Sequence, residues 1–174
     1  MAQVLYLRHF LLLGAFSVSL AVISRLHLLN NLDATFALYG ALHAAALLLS
    51  LGTRRPGWRQ CLFIVLAAGL SVMTLHVGIW LMHRLGGLPG NIALYTALGV
   101  AAWIGAVTYG ISIRLSGIHP LKPRSLAMIG LGCTLATYAA FLTLAHFRPL
   151  GRWWLAVLWW FAFSGGLWYH ERRP

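Results

Sequence analysis

Long apolar runs alternate with short segments rich in Gly, Pro, Arg and Lys along the whole chain. Six runs approach the roughly 20 apolar residues that a membrane-spanning helix needs, and they cover residues 10–29, 35–52, 61–82, 91–113, 125–146 and 153–169. The breaks between them are short, and their Gly, Pro and basic residues favour the end of a helix at a water boundary. The pattern therefore predicts an all-α, polytopic integral membrane bundle with six transmembrane helices, in which residues 1–174 form one domain.

The composition supports lipid as the solvent of most of the chain. Apolar residues make up 60% of the sequence and charged residues 9%, whereas a soluble domain carries roughly 25% charged residues. The first run has a basic flank at Arg8 but no small-residue cleavage site. We therefore expect it to be a retained membrane anchor, because a cleaved signal peptide would carry such a site.

The 13 Lys and Arg residues divide unequally between the two ends of such a bundle. Nine belong to the side of both termini: Arg8, Arg54, Arg55, Arg59, Arg114, Lys122, Arg124, Arg172 and Arg173. Four belong to the other side: Arg25, Arg84, Arg148 and Arg152. The positive-inside rule then predicts cytoplasmic termini, in a bacterial inner membrane. The net charge of +11 would meet anionic lipid headgroups, and no nucleic-acid partner is expected because no basic stripe interleaves with aromatic residues.

Acidic residues are too scarce for several kinds of chemistry. The chain has two, Asp33 and Glu171, and both fall at run ends on opposite sides of the membrane. This distribution argues against paired-carboxylate catalysis and against an acid-based proton relay through the bilayer. A serine nucleophile needs a base, and we expect no histidine at the depth of Ser164. Cys61 and Cys133 are expected to be small buried side chains without a disulfide.

Histidine is the reactive side chain that remains abundant, with eight copies. His43 lies ten residues after Asp33, about 15 Å into the second run, and His76 lies eight residues before Arg84, about 12 Å into the third. Consecutive runs joined by a short turn are expected to be antiparallel neighbours. The two imidazoles would then meet at one depth and could hold a b-type haem, which would make the chain an electron-transfer subunit.

A second group of histidines lies at the predicted outer ends of the first, third and fifth runs. These residues are His27, His83 and His146. Three imidazoles at one depth could bind a transition metal or a second haem. They could equally be interfacial side chains with an apolar body and a polar tip.

Two further interpretations of the function stay open at this point. RPGWR at 55–59 and RPLGR at 148–152 share the pattern R-P-x-x-R, which would suit two inverted three-helix repeats and a small-solute or lipid transporter. Small residues recur every four positions, as in Ala97, Ala101 and Gly105, and let helices approach closely. Trp159 and Trp160, too deep for an interfacial belt, could face lipid, a cofactor or another protein. The chain would then be a scaffold or assembly subunit among other membrane proteins.

Overall fold

The computed structural model describes residues 2–25, 31–50, 57–89, 91–118, 121–146 and 153–171. Within these ranges the chain forms six α-helices, and each matches one predicted run. They are α1 (Ala2–Arg25), α2 (Leu32–Ser50), α3 (Trp58–Arg84), α4 (Ile92–Leu115), α5 (Pro123–His146) and α6 (Trp153–Glu171). The prediction of an all-helical chain is confirmed.

The six helices pack as a closed ring in chain order. Each helix packs against the next one along the chain, and α6 returns to pack against α1. Side-chain contacts show that neighbours are antiparallel: Asp33 of α2 meets His76 of α3, while Gly40, further along α2, approaches Ala67, earlier in α3. The even number of antiparallel helices places Ala2 and Glu171 at one end, which we call the terminal end of the bundle.

Four of the helices are long and apolar enough to cross a bilayer. These stretches are Leu32–Leu49, Trp58–Arg84, Ile92–Leu115 and Pro123–Leu144, in α2 to α5, and α1 carries a shorter apolar stretch at Leu7–Ile23. The helices differ in burial, since α4 contributes ten buried residues and α3 only Phe63 and Ala67. Helix α3 therefore turns a broad apolar face outward, as expected of a helix in contact with lipid.

The first helix begins earlier than its apolar pattern predicted. The predicted run started at residue 10 because Arg8 was taken as a flank, whereas α1 begins at Ala2. Arg8 is exposed while His9 beside it is 3% exposed. A single arginine does not end a helix, because its long side chain can reach outward from one face. His9 consequently lies inside the bundle.

The two cysteines differ from expectation in one respect. They are not joined by a disulfide, as predicted, and Cys133 is buried, but Cys61 is exposed. Cys61 lies in the first turns of α3, the helix that turns most of its surface outward.

Candidate functional site

A buried polar cluster joins three helices near the terminal end. Ser164 of α6 lies with its Oγ 2.7 Å from Nε2 of His9 in α1 and 3.3 Å from Nε2 of His43 in α2. The other ring nitrogen of His9, Nδ1, lies 3.4 Å from the carbonyl oxygen of Ala46. Ser164 is fully buried, and His43 is 1% exposed. A serine hydroxyl thus links two imidazoles inside the bundle.

The three residues meet because they lie at the same depth. His9 is seven residues from Ala2, His43 is seven residues from Ser50, and Ser164 is seven residues from Glu171. At 1.5 Å per residue, each lies about 10 Å from the terminal end of its helix. Our expectation that no histidine lies at the depth of Ser164 is therefore wrong. The late predicted start of the first helix had placed His9 at the membrane surface.

Aromatic rings enclose the imidazole of His43. Trp160 stacks on it with 5.8 Å between ring centroids and an angle of 7°, and Tyr109 stacks at 5.1 Å. Trp159 and Phe163 present their edges at 5.8 and 5.7 Å. Trp159 and Trp160 were predicted to face lipid, a cofactor or another protein, whereas the structure packs both around His43 inside the bundle. Such packing holds the imidazole in one orientation.

An elongated cavity of about 200 Å³ begins at this imidazole. Its lining comes from α2 to α6 and includes His43, Tyr109, Trp159 and Trp160. Along α4 the lining extends from Ala97 to Tyr109, a distance of about 18 Å at 1.5 Å per residue. His43 and Tyr109 are the lining residues of α2 and α4 nearest the terminal end. They form one end of the cavity, which we call its floor.

The floor carries two buried polar atoms that lack hydrogen bonds. Among the described residues, Nδ1 of His43 and the hydroxyl of Tyr109 have no hydrogen-bond partner. Leaving a buried donor or acceptor unpaired costs about 1–3 kcal/mol, and native proteins contain few such groups. Both of these groups belong to residues at the floor of the cavity.

Small residues keep the cavity open between α3 and α4. Ala97, Ala101 and Gly105 of the four-residue series on α4 line it. A Cβ added to Gly105 would lie 2.9 Å from Thr74, and one added to Gly78 would lie 3.3 Å from the Cβ of Ala101. The series therefore serves close helix packing, as predicted, and also forms a wall of the cavity.

The structure does not bring the predicted haem ligands together. His43 belongs to the interior cluster, whereas Nε2 of His76 lies 3.1 Å from Oδ1 of Asp33, with both side chains more than half exposed. The expectation that they meet at one depth is wrong because α3 continues past the start of α2. The eight residues from His76 to Arg84 extend about 12 Å beyond the level of Asp33.

The metal or second-haem site at the three outer histidines stays a prediction, because part of it lies outside the described residues. His27 lies in a part of the chain that the structure does not describe, as does the side chain of His146. His83 is exposed near the end of α3. Within the described ranges, no group of three His, Cys, Asp or Glu side chains is placed to hold a metal ion. The R-P-x-x-R pair also extends into undescribed segments.

Comparison of the chain with protein-family models, with curated proteins and with solved structures finds no match.

Proposed function

We propose that this integral membrane protein binds a small, largely apolar molecule inside its helical bundle, with His43 and Tyr109 holding the polar group of that molecule at the floor of the cavity. The observation that carries the proposal is that two residues lining one end of one cavity each keep a buried polar atom without a hydrogen-bond partner. In an empty packing defect, the imidazole nitrogen and the phenol hydroxyl would stay unpaired, and nothing would offset the free-energy cost.

The lining favours an organic molecule over a cluster of water. A buried water needs two to four polar partners, whereas apolar cavities of about 150 Å³ stay dry and bind molecules such as benzene. Above the floor, alanine, glycine, leucine and aromatic side chains form most of the wall. Water satisfies the floor alone, while an apolar molecule with one polar end satisfies both the floor and the wall.

The proposal is tested by filling the cavity without touching its floor. Ala101 lines the cavity and is 7% exposed, whereas Val100 beside it on α4 lies outside the lining and is 38% exposed. Ala101→Phe should abolish saturable binding of naphthalene to the purified protein in detergent, measured by quenching of tryptophan fluorescence. Val100→Phe adds a similar side chain on the outer face and should bind naphthalene like the unsubstituted protein.

Two results would contradict the cavity proposal. One is the absence of saturable naphthalene binding in the unsubstituted protein, and the other is equal binding by the two phenylalanine variants. Circular dichroism and a thermal unfolding curve show whether Ala101→Phe is folded. If it is not folded, Ala101→Leu takes its place as the smaller filling residue.

We propose further that all six helices cross the membrane and that both termini face the bacterial cytoplasm. The basis is the placement of nine of the 13 basic residues on the terminal side, together with the positive-inside rule. Reporter fusions after Arg55 and after Lys122 should report the cytoplasm, and a fusion after Gly87 should report the opposite side. The reverse pattern would overturn the orientation.

The other functional hypotheses have unequal support. A haem held by His43 and His76 stays a prediction, and it has lost the shared depth that motivated it because His76 contacts Asp33. Membership of a larger membrane complex and transport by inverted repeats also stay predictions. Binding within the bundle is compatible with both, since a carrier and an assembly subunit can each hold a small molecule.

A further inference from the structure

His9, Ser164 and His43 form what we call the serine-centred cluster. The direction of its hydrogen bonds is set by a backbone carbonyl. A carbonyl oxygen can only accept a hydrogen bond, so Nδ1 of His9 carries the hydrogen that is donated to Ala46. In a neutral imidazole the other nitrogen is then an acceptor. Nε2 of His9 therefore accepts the hydrogen of the Ser164 hydroxyl across 2.7 Å.

The same logic continues to His43. The Ser164 oxygen, having donated its hydrogen to His9, is free to accept, and Nε2 of His43 donates to it across 3.3 Å. Nδ1 of His43 is then the nitrogen without a hydrogen. Neither imidazole has an ion-pair partner among the described side chains, and an isolated buried charge is costly, so both rings are taken as neutral.

The floor of the cavity consequently offers one bare acceptor and one hydroxyl. Nδ1 of His43 can only accept a hydrogen bond, and the hydroxyl of Tyr109 can donate one, with both atoms unpartnered in the described structure. Both residues line the same end of the cavity, and their rings are stacked with centroids 5.1 Å apart. A ligand hydroxyl complements this pair, because it donates to His43 and accepts from Tyr109.

We propose that the cavity is selective for apolar molecules that end in a hydroxyl group, such as a lipid-soluble alcohol or phenol, over ethers and carbonyl compounds of the same shape. An ether or carbonyl oxygen accepts from Tyr109 but leaves Nδ1 of His43 unpaired. The cavity is elongated, and the two residues with unpartnered polar atoms lie at one end of it, which also fits a terminal hydroxyl. The inference rests on the proposed binding function and adds the chemical class of the ligand.

Three probes built on the same naphthalene ring system separate binding in the cavity from the preference for a hydroxyl group. Naphthalene has no polar group, methoxynaphthalene accepts a hydrogen bond, and naphthol both accepts and donates. The unsubstituted protein should bind naphthol about tenfold more tightly than methoxynaphthalene, because a hydrogen bond that pairs a buried acceptor is worth about 1–1.5 kcal/mol. Binding is measured by tryptophan quenching and corrected with the Ala101→Phe variant for uptake into detergent.

Ser164→Ala tests whether the cluster sets this preference. Ser164 is not part of the cavity lining, but its loss lets His43 carry its hydrogen on either nitrogen and donate to an ether. The preference for naphthol should fall from about tenfold to less than about threefold. Ser17→Ala is the matched control, since Ser17 is a buried serine whose Oγ donates to Leu13 within α1, and it should keep the full preference.

The outcomes test separately the hydroxyl preference, the role of the serine-centred cluster and binding in the cavity. Equal affinities of the unsubstituted protein for naphthol and methoxynaphthalene would overturn the hydroxyl preference while leaving the cavity function intact. A tenfold preference that survives Ser164→Ala would overturn the role of the serine-centred cluster. Failure of all three probes to bind would overturn the proposed function together with the inference that rests on it.

Discussion

His43 and His76 lie on neighbouring helices and occupy opposite environments. His43 is 1% exposed, surrounded by four aromatic rings, and hydrogen-bonded at one nitrogen to a buried serine. The side chain of His76 is 59% exposed, and it contacts Asp33, which is 52% exposed. The alignment of α2 against α3 therefore determines which imidazole reaches the interior, since the residue type is the same.

A close approach of two backbones sets that alignment. Gly40 of α2 packs so tightly against Ala67 and Ser71 of α3 that an added Cβ would collide with the Ala67 carbonyl and the Ser71 hydroxyl. Further along the pair, this register brings Asp33 to His76. The last eight residues of α3 therefore extend past the start of α2, and His76 lies far from the depth of His43.

The largest expected difference is between alanine substitutions at the two histidines. His43→Ala removes a buried ring packed among four aromatic side chains and should lower the free energy of unfolding by about 3–5 kcal/mol, as for large core side chains. His76→Ala removes one partner of an exposed pair and should change it by less than about 0.5 kcal/mol. Thermal or denaturant unfolding in one detergent measures both. Equal losses would mean that the two environments are not as different as described.

The next largest loss of stability is expected on substitution of Gly40, the glycine that aligns α2 with α3. Gly40→Ala forces the two helices apart and should cost about 1–3 kcal/mol, as overpacking does. Gly69→Ala is the matched control on α3, where an added Cβ has nothing within 4 Å. Since alanine favours a helix over glycine by about 0.5–1 kcal/mol, that variant should be more stable than the parent. A stabilised Gly40→Ala protein would show that the close approach does not exist.

Loss of the central hydroxyl should have an intermediate effect. Ser164→Ala leaves Nε2 of His9 and Nε2 of His43 without their shared partner, at a cost of about 2 kcal/mol in the free energy of unfolding. Ser17→Ala loses a single bond to a carbonyl of its own helix and should cost about 0.5 kcal/mol, the lower end of the range for one hydrogen bond. The same unfolding curves separate them. If the two serine variants are equally stable, the interhelical cluster contributes nothing.

The smallest expected change in stability is that of Tyr109→Phe, and its sign is the informative part. Tyr109→Phe removes a buried hydroxyl that has no partner in the described structure and should raise the stability of the unliganded protein by about 1 kcal/mol. The same change should weaken the binding of naphthol, which loses its donor. Tyr138→Phe is the control, because Tyr138 donates to the Tyr95 carbonyl at 2.9 Å and its loss should be destabilising. Destabilisation by Tyr109→Phe would indicate a hydrogen bond that the structure does not show.

Apolar periodicity predicted the helices better than it predicted what they bring together. The six runs were visible because each is long and each break contains Gly, Pro or charge. The position of α1 was missed because Arg8 was taken as the end of a helix, and with it the contact of His9 with Ser164. A pattern along one chain also contains no information on the offset between two helices, so it could not show that α3 extends past Asp33.

Part of the site was nevertheless accessible from the sequence. Measuring depth from the terminal ends, with α1 started at Ala2, places His9, His43 and Ser164 at one level, because each is seven residues from its helix end. Tyr109 gave no such signal. It is one aromatic residue in an apolar run, and its importance depends on a hydroxyl that packing leaves without a partner.

Nitrogen NMR of the protein with isotope-labelled histidine side chains can show whether Nδ1 of His43 lacks a hydrogen and accepts one from the ligand hydroxyl. In the unliganded protein, His43 should show a hydrogen on Nε2 and none on Nδ1, with its signals assigned by their loss in His43→Phe. Adding naphthol should shift the Nδ1 signal of His43, since that nitrogen then accepts a hydrogen bond, and should leave the signals of His76 in place. A hydrogen found on Nδ1 of His43, or a response to naphthol at His76 and not at His43, would contradict the claim.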